Sequence, residues 1–422
     1  MKNPLAKTML ATVGFLLVTA IHAQQKKYVL EPDRVFDGEQ LHSGWVVVVT
    51  GDKITAAGTP SQLNLPPDAT TLKLPGCTLL PGLIEGHSHL LLHPYNETSW
   101  DDQVLKESDA LRVARATVHA EKTLRAGFTT VRDLGSEGAG YADVGLKQAI
   151  NQNIIPGPRM LVAGRAIVAT GSYGPKGFDT DFTVMLGAEQ ADGSNLIQVV
   201  RDQIGKGADI VKVYADYRWG LKGEAQPTFS IEEFKLIVET AKSSGRPVVA
   251  HATTAEGMRR AVLGGVETIE HGDDGTPELF KLMKEKGVAL CPTLAASASI
   301  AQYRGWKKDS QPEPERLVQK RQMFLDALKA GVVICTGGDV GVFAHGQNAY
   351  ELELMVAYGM SALEVLRSAT SVNAKVFHLD KEVGRIKENL KADILVVNGD
   401  PSKNISDLRQ VKWVMKDGIL YE

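Results

Sequence analysis

Cysteine is scarce in this chain, with three residues among 422, and Cys77, Cys291 and Cys335 each sit alone inside an apolar run. An odd, widely spaced set supplies neither a disulfide framework nor a thiolate zinc cluster, so the three read as small buried core residues. A basic excess is missing too. Lys and Arg number 47 against 50 Asp and Glu, a formal net charge of −3. With no basic stripe interleaved with aromatics, nucleic acid is not an expected partner. Low-complexity tracts and short-period repeats are absent, which argues against linkers and solenoids. Beyond the first two dozen residues no apolar run approaches the roughly 20 residues of a membrane-spanning helix.

What is present begins with that N-terminal segment. Lys2 and Lys7 precede the apolar stretch MLATVGFLLVTAI, and Ile21-His22-Ala23 forms a small-residue cleavage site. This is the pattern of a secretory signal peptide over residues 1–23. The mature protein is therefore expected to be secreted or periplasmic, with no integral span left after cleavage.

From Tyr28 to about Leu80 the chain shows short alternating strands, YVLEPDRVFDG, GWVVVVTGDKITAAG and TTLKLPGCTLL. Gly51-Asp52 between two apolar runs signals a hairpin. Residues 24–80 read as the first part of a small β-sandwich. After Pro81 strands alternate with amphipathic helices, the texture of βα units on a parallel sheet. The opening PGLIEGHSH and seven later runs give eight strand candidates: GFTTVRDLG, PRMLVAGRAIVATG, GADIVKVYADY, GRPVVAHATT, GVETIEHGDDG, GVALCPTLAAS and GVVICTGGDVG. Among the intervening helices, SIEEFKLIVETAKSSG opens with Ser230 and Glu233, a capping box. Eight such units over 81–380 predict an α/β fold, a (β/α)8 TIM barrel. ADILVVNGDP and VKWVMKDGILYE return to strand pattern over 381–422 and complete the sandwich, one composite domain from both chain ends. The stretch RGWKKDSQPEPERL reads as a loop at the barrel mouth.

The histidines sort by position on this frame. In a barrel, the C-terminal strand ends carry the chemistry, and residues i and i+2 of a strand point to one side. His87 and His89 are such a pair at the end of the first strand. His251 ends the fifth, His271 ends the sixth, and Asp339 follows the eighth. Lys212 lies inside the otherwise apolar fourth strand, IVKVY. One strand-end histidine is more simply a hydrogen-bonded core residue. Four with a carboxylate at one rim favour a metal site, because imidazole and carboxylate suit zinc and related ions. For Lys212 three readings stand side by side: a neutral buried amine, an ammonium paired with Asp339, or a carbamate formed with carbon dioxide.

The motifs PGLIEGHSH, IVKVY, VVAHA, ETIEHGDD and CTGGDVGVFAHG, followed by ELELMVAYGMSALEVLRSATSVNAKVF and KADILVVNGDP, resemble the amidohydrolase superfamily over nearly the whole mature chain. Within it they are similar to the imidazolonepropionase-like and Xaa-Pro-dipeptidase-like branch, which includes ochratoxin-hydrolysing members. The resemblance implies two divalent ions, zinc by expectation. His87, His89 and Asp339 would hold one and His251 and His271 the other, with an N6-carboxylated Lys212 bridging. Glu85 stands where relatives often carry Asp, and Gly338 where Thr is common.

This predicts hydrolysis of the amide of a dipeptide or N-acyl amino acid, with Asp339 as proton carrier and Tyr214 and His345 as further catalytic candidates. Ser88, Arg132 and His93 are weaker ones, and for Arg132 a structural salt bridge explains the residue equally well. His22, His42, His119 and His378 fall in the signal segment, the sandwich and helices. A lactonase or cyclic-amide hydrolase of the imidazolonepropionase type is the alternative, using the same metals without a carboxylate-binding cation at the mouth. The partner is a small molecule, and the composition is compatible with a homo-oligomer.

Overall fold

The computed structural model describes residues 25–308 and 310–421. The expected signal segment, with His22, lies outside the described residues. The fold is α/β. No helix among the described residues is long and apolar enough to cross a membrane.

Strands from both chain ends share one eight-stranded sheet. Thr70–Pro81 is its seam. One edge pairs in parallel with Lys27–Phe36 and the other antiparallel with Ile394–Asn398, Leu80 opposite Leu395. Val46–Thr50 and Lys53–Gly58 form the expected hairpin, Thr50 opposite Lys53, with Gly51 at φ 60°. Only a residue without Cβ adopts that left-handed turn at little cost. The hydrogen bonding makes one continuous sheet, where the alternation alone suggested two. Alternation cannot say which strands pair. Leu30, Val47, Ile54, Leu79, Val396 and Trp413 fill its buried face.

The expected parallel strands follow. Leu83–Ser88 pairs with Phe128–Asp133, and that strand with Arg159–Val162. Val211–Tyr214 pairs with Val248–Ala252, then come Thr268–His271 and Ala289–Cys291. Main-chain hydrogen bonds carry the succession across the gaps, from Asp209 N to Val162 O at 2.8 Å and from Cys335 N to Leu290 O at 2.8 Å. The last segment returns to the first, since Asp339 N donates to His87 O at 2.9 Å and His89 N to Val340 O at 2.7 Å. Helices lie between these strands, and Ser230 and Glu233 form the capping box that opens Ile231–Lys242.

Two strand expectations are corrected. The run 158–171 splits into Arg159–Val162 and Ile167–Val168, with Gly164 at φ 68° between them. The eighth run, 331–341, is reduced to isolated bridges at Ile334 and Val340. A Cβ on Gly337 would fall 2.4 Å from Cys291 Sγ and 2.7 Å from His87 N. The glycine therefore permits a close backbone crossing where a regular strand was expected.

All three cysteines are buried and free, as the composition suggested.

Candidate metal and active site

Four segments bring their ends to one cavity of about 920 Å³ whose walls include His87, His89, His251, His271 and Asp339. The ring centroids of His87 and His89 are 5.3 Å apart, those of His87 and His271 5.2 Å, and those of His251 and His271 4.5 Å. Asp339 Oδ1 lies 3.3 Å from His89 Nε2 and 3.6 Å from His87 Nε2. One ligating atom each from His87, His271 and Asp339 fits within a 4.8 Å group. Lys212 is 1% exposed and is not among the residues that line the cavity, but its charge is felt by His87, His251 and His271.

Three of the four imidazoles are held through one nitrogen. His87 Nδ1 meets Glu270 Oε2 at 2.9 Å, His89 Nδ1 meets Gly135 O at 2.9 Å, and His271 Nδ1 meets Thr293 Oγ1 at 2.8 Å. His251 Nε2 faces Asp216 Oδ1 at 3.8 Å, and the ring stacks on Tyr214 at 4.4 Å between centroids. Hydrogen-bond partners of this kind fix the tautomer of His87, His89 and His271 and leave the other nitrogen of each ring for an ion. The backbone is strained around the same cavity. Of the eight non-glycine residues at positive φ among the described residues, four line it: Glu137 at 48°, His271 at 76°, Thr293 at 50° and Asp339 at 63°. Such conformations cost about 1–3 kcal/mol each and gather where the surroundings over-determine a functional geometry.

Electrostatics agree with a ligand set. Burial, reinforced by Lys212, lowers His87 to about 4 and His251 to about 3. Burial with the neighbouring His251 holds His271 well below its ordinary value. These rings keep the lone pairs that metal binding needs. His89 runs the other way: burial is outweighed by Asp339, which raises it to about 9. Against burial, His87 and His89 hold Asp339 down at about 2. Burial depresses Lys212, and no carboxylate among the described residues pairs with its ammonium. The ion pair with Asp339, one of the three sequence readings, is therefore not formed. A buried cation without a partner is costly. Four mostly neutral imidazoles, a carboxylate and a desolvated amine are a donor set that suits divalent ions.

The other candidates divide. Tyr214 lines the cavity, its hydroxyl 3.5 Å from both Tyr173 Oη and Glu137 Oε1. His345 is corrected: it is absent from the cavity wall, its Nε2 meets Leu92 O at 3.0 Å, and its ring stacks on His119 at 4.2 Å. Six residues beyond Asp339 the chain has turned behind the His89–Leu92 segment, and spacing alone cannot register that turn. Arg132 is structural, with Nη2 on Glu270 Oε1 at 2.7 Å and the guanidinium 4.1 Å above the Phe377 ring. His93 lies between Glu97 and Glu107, and the Ser88 hydroxyl is buried without a partner among the described residues. His42 stacks on Trp45, and His378 sits just past Asn373–Val376, paired with Glu267.

Glu85, the departure from Asp, has a structural task. Its carboxylate accepts from His87 N at 3.1 Å, Gly338 N at 2.8 Å and Asn348 Nδ2 at 2.9 Å. The group thereby ties the histidine pair to the loop carrying Asp339. Residues the sequence reading missed include Glu270, Asp216, Thr293, Trp100, Glu137, Tyr173 and Tyr217. Only Glu270 left a signal, a glutamate in the apolar strand directly before His271. The mouth adds Arg218, Arg304 and Arg316 from the 304–317 region and the Tyr214 segment.

A family model described as the amidohydrolase family matches residues 78–420. Ochratoxinase of Aspergillus niger is 30% identical, the match covering 92% of this chain and 84% of that protein. A crystal structure of an Xaa-Pro dipeptidase with bound methionine in the active site superposes with TM-score 0.82 at 31% identity, covering 94% of this chain and 100% of that one. A prolidase complexed with N-methylphosphonate-L-proline gives TM-score 0.81 at 28% identity, with coverage of 94% and 100%.

Proposed function

The chain belongs to the amidohydrolase family, hydrolases acting on C–N amide bonds, and from that premise we propose that it is an exported, two-metal enzyme cleaving dipeptides or N-acyl amino acids. The observation that carries the reading is the convergence of His87, His89, His251, His271 and Asp339 on one cavity, with the buried Lys212 close enough for its charge to act on three of the four histidines. We read the parallel strands of 81–380 as a (β/α)8 barrel and the sheet of 24–80 and 381–422 as its composite companion.

His87, His89 and Asp339 would hold one ion, and His251 and His271 the other. Lys212 as a carbamate would be shared between them; its lowered basicity favours the neutral amine that adds carbon dioxide. Zinc is the first expectation. When bound, such ions polarise a substrate carbonyl and make water acidic near neutral pH. Asp339 accepts the proton of the attacking water and returns it to the departing amine. Tyr214, its hydroxyl turned into the cavity, donates a hydrogen bond to the substrate oxygen that gains charge.

Arg218 and Arg304 favour an acid-bearing amide over a lactone. Both line the mouth, and neither has a carboxylate partner among the described residues. The relatives supply two substrate ideas, an Xaa-Pro dipeptide and an ochratoxin-like N-acyl phenylalanine. A panel of dipeptides, N-acyl amino acids and lactones tests the reading. His87→Ala and Asp339→Asn should each abolish turnover while the protein stays folded, and chelation should do the same reversibly on zinc addition. Substantial turnover by either variant, or by metal-free protein, refutes it.

A further inference from the structure

We infer that Glu137 forms the anionic end of an aromatic cage that binds a cationic nitrogen of the substrate, an ammonium or guanidinium. The inference rests on the reading of the cavity as the active site and deepens it by naming a substrate class.

Glu137 is 3% exposed, yet it lines the cavity. Its Oε2 accepts from Trp100 Nε1 at 2.9 Å and Tyr173 Oη at 2.8 Å. Among the described residues its Oε1 has only the Tyr214 hydroxyl, at 3.5 Å. No Lys, Arg or His among the described residues pairs with this carboxylate. Arg112, buried nearby, spends its N–H groups on the carbonyls of Leu91, Ser136 and Glu137 itself. A buried carboxylate without a cation is costly, and a ligand can supply the missing charge.

The surroundings suit that ligand. Tyr173 packs against Trp100 at 5.5 Å, Tyr214 at 4.7 Å and Tyr217 at 4.6 Å between ring centroids, and Tyr95 completes the wall. Aromatic faces around a carboxylate attract an organic cation through ring quadrupole and charge together. Glu137 stands two residues past Gly135, whose carbonyl holds His89, so the cage adjoins the candidate metal ligands. The left-handed backbone at Glu137 (φ 48°) is a cost the fold bears to aim this side chain.

The source of the cation is either the free α-ammonium of a dipeptide or a basic side chain, and two substrate pairs separate them. The first pair is a dipeptide and its N-acetyl form; the second is an N-acyl arginine and the matching N-acyl citrulline. Wild-type protein should favour the charged member of at least one pair by tenfold or more in kcat/KM. In Glu137→Gln, whose amide oxygen still accepts from Trp100 and Tyr173, that ratio should fall toward one. If Glu137 merely clips Trp100 to Tyr173, both members lose activity by the same factor and the ratio stands, which overturns the inference. Equal rates for both pairs in the wild type overturn it as well. Hydrolysis of neither member of either pair would instead sink the active-site reading beneath it. Should the variant not fold, inhibition of neutral-substrate turnover decides: 2-phenylethylammonium should inhibit at least tenfold more strongly than 3-phenyl-1-propanol, and equal inhibition overturns the proposal.

Discussion

His87 Nδ1 lies 2.9 Å from Glu270 Oε2, although 183 residues separate them in the chain. The other Glu270 oxygen takes Arg132 Nη2 at 2.7 Å and Thr268 Oγ1 at 2.5 Å. The glutamate thus fixes one ring of the histidine pair with Nε2 turned toward Asp339, and a buried guanidinium keeps it ionised.

Removing that charge should be felt at the metal. Glu270→Gln is expected to lower metal affinity or kcat/KM by about 10- to 100-fold, the usual effect of losing a partner of a ligating histidine. Metal content of purified protein and steady-state kinetics check it.

The partner substitution should act on stability instead. Arg132→Met leaves Glu270 as a buried carboxylate with its cation gone, a change expected to cost about 3–5 kcal/mol. Urea denaturation of the two proteins at pH 7 measures the difference.

Lys212→Ala should lose turnover, and a short carboxylic acid such as propionate should partly restore it by standing in for the carbamate. No rescue across a wide range of acid concentration would speak against carboxylation.

Asp417 links the terminal sheet to the parallel strands through Arg159 Nη2 at 2.6 Å. Burial is outweighed by Arg159, Lys391 and Lys416, so its carboxyl drops from 3.8 to about 2. A depressed carboxyl stabilises the fold fully above its unfolded value and loses that contribution as pH falls through its folded one. At about 1.4 kcal/mol per pKa unit, discounted for partial exposure, Asp417→Asn should cost about 1–2 kcal/mol at pH 7. The gap to wild type should narrow between about pH 4 and pH 2, as read by urea denaturation at pH 7 and pH 3.

Gly337→Ala should separate the loop of Asp339 from the strand of His87, because the added methyl meets His87 N at 2.7 Å. Activity is expected to fall at least tenfold; a fully active variant would show that the crossing tolerates a side chain.

Much of the candidate site was legible because it obeys a local rule. A period of two puts His87 and His89 on one side of a strand, and an apolar run followed by His or Asp marks a strand end. Lys212 stood out because a lysine inside an apolar strand has no cheap explanation. The hairpin at Gly51-Asp52 and the capping box at Ser230 are equally local. His345 shows the limit, since its six-residue distance from Asp339 says nothing about the direction of the intervening turn.

Residue chemistry along the strands therefore determined which groups carry the ionisable functions and at which strand ends they stand. Only the tertiary structure decided which of them meet. Glu137 and Tyr173 come from irregular segments, Trp100 opens a short helix and Tyr217 sits in a three-residue strand, so no long period fixes their directions and their contacts are set by closure of distant parts of the chain. The same closure, and not any local pattern, gave Arg132 to Glu270 and left Lys212 without a paired carboxylate among the described residues.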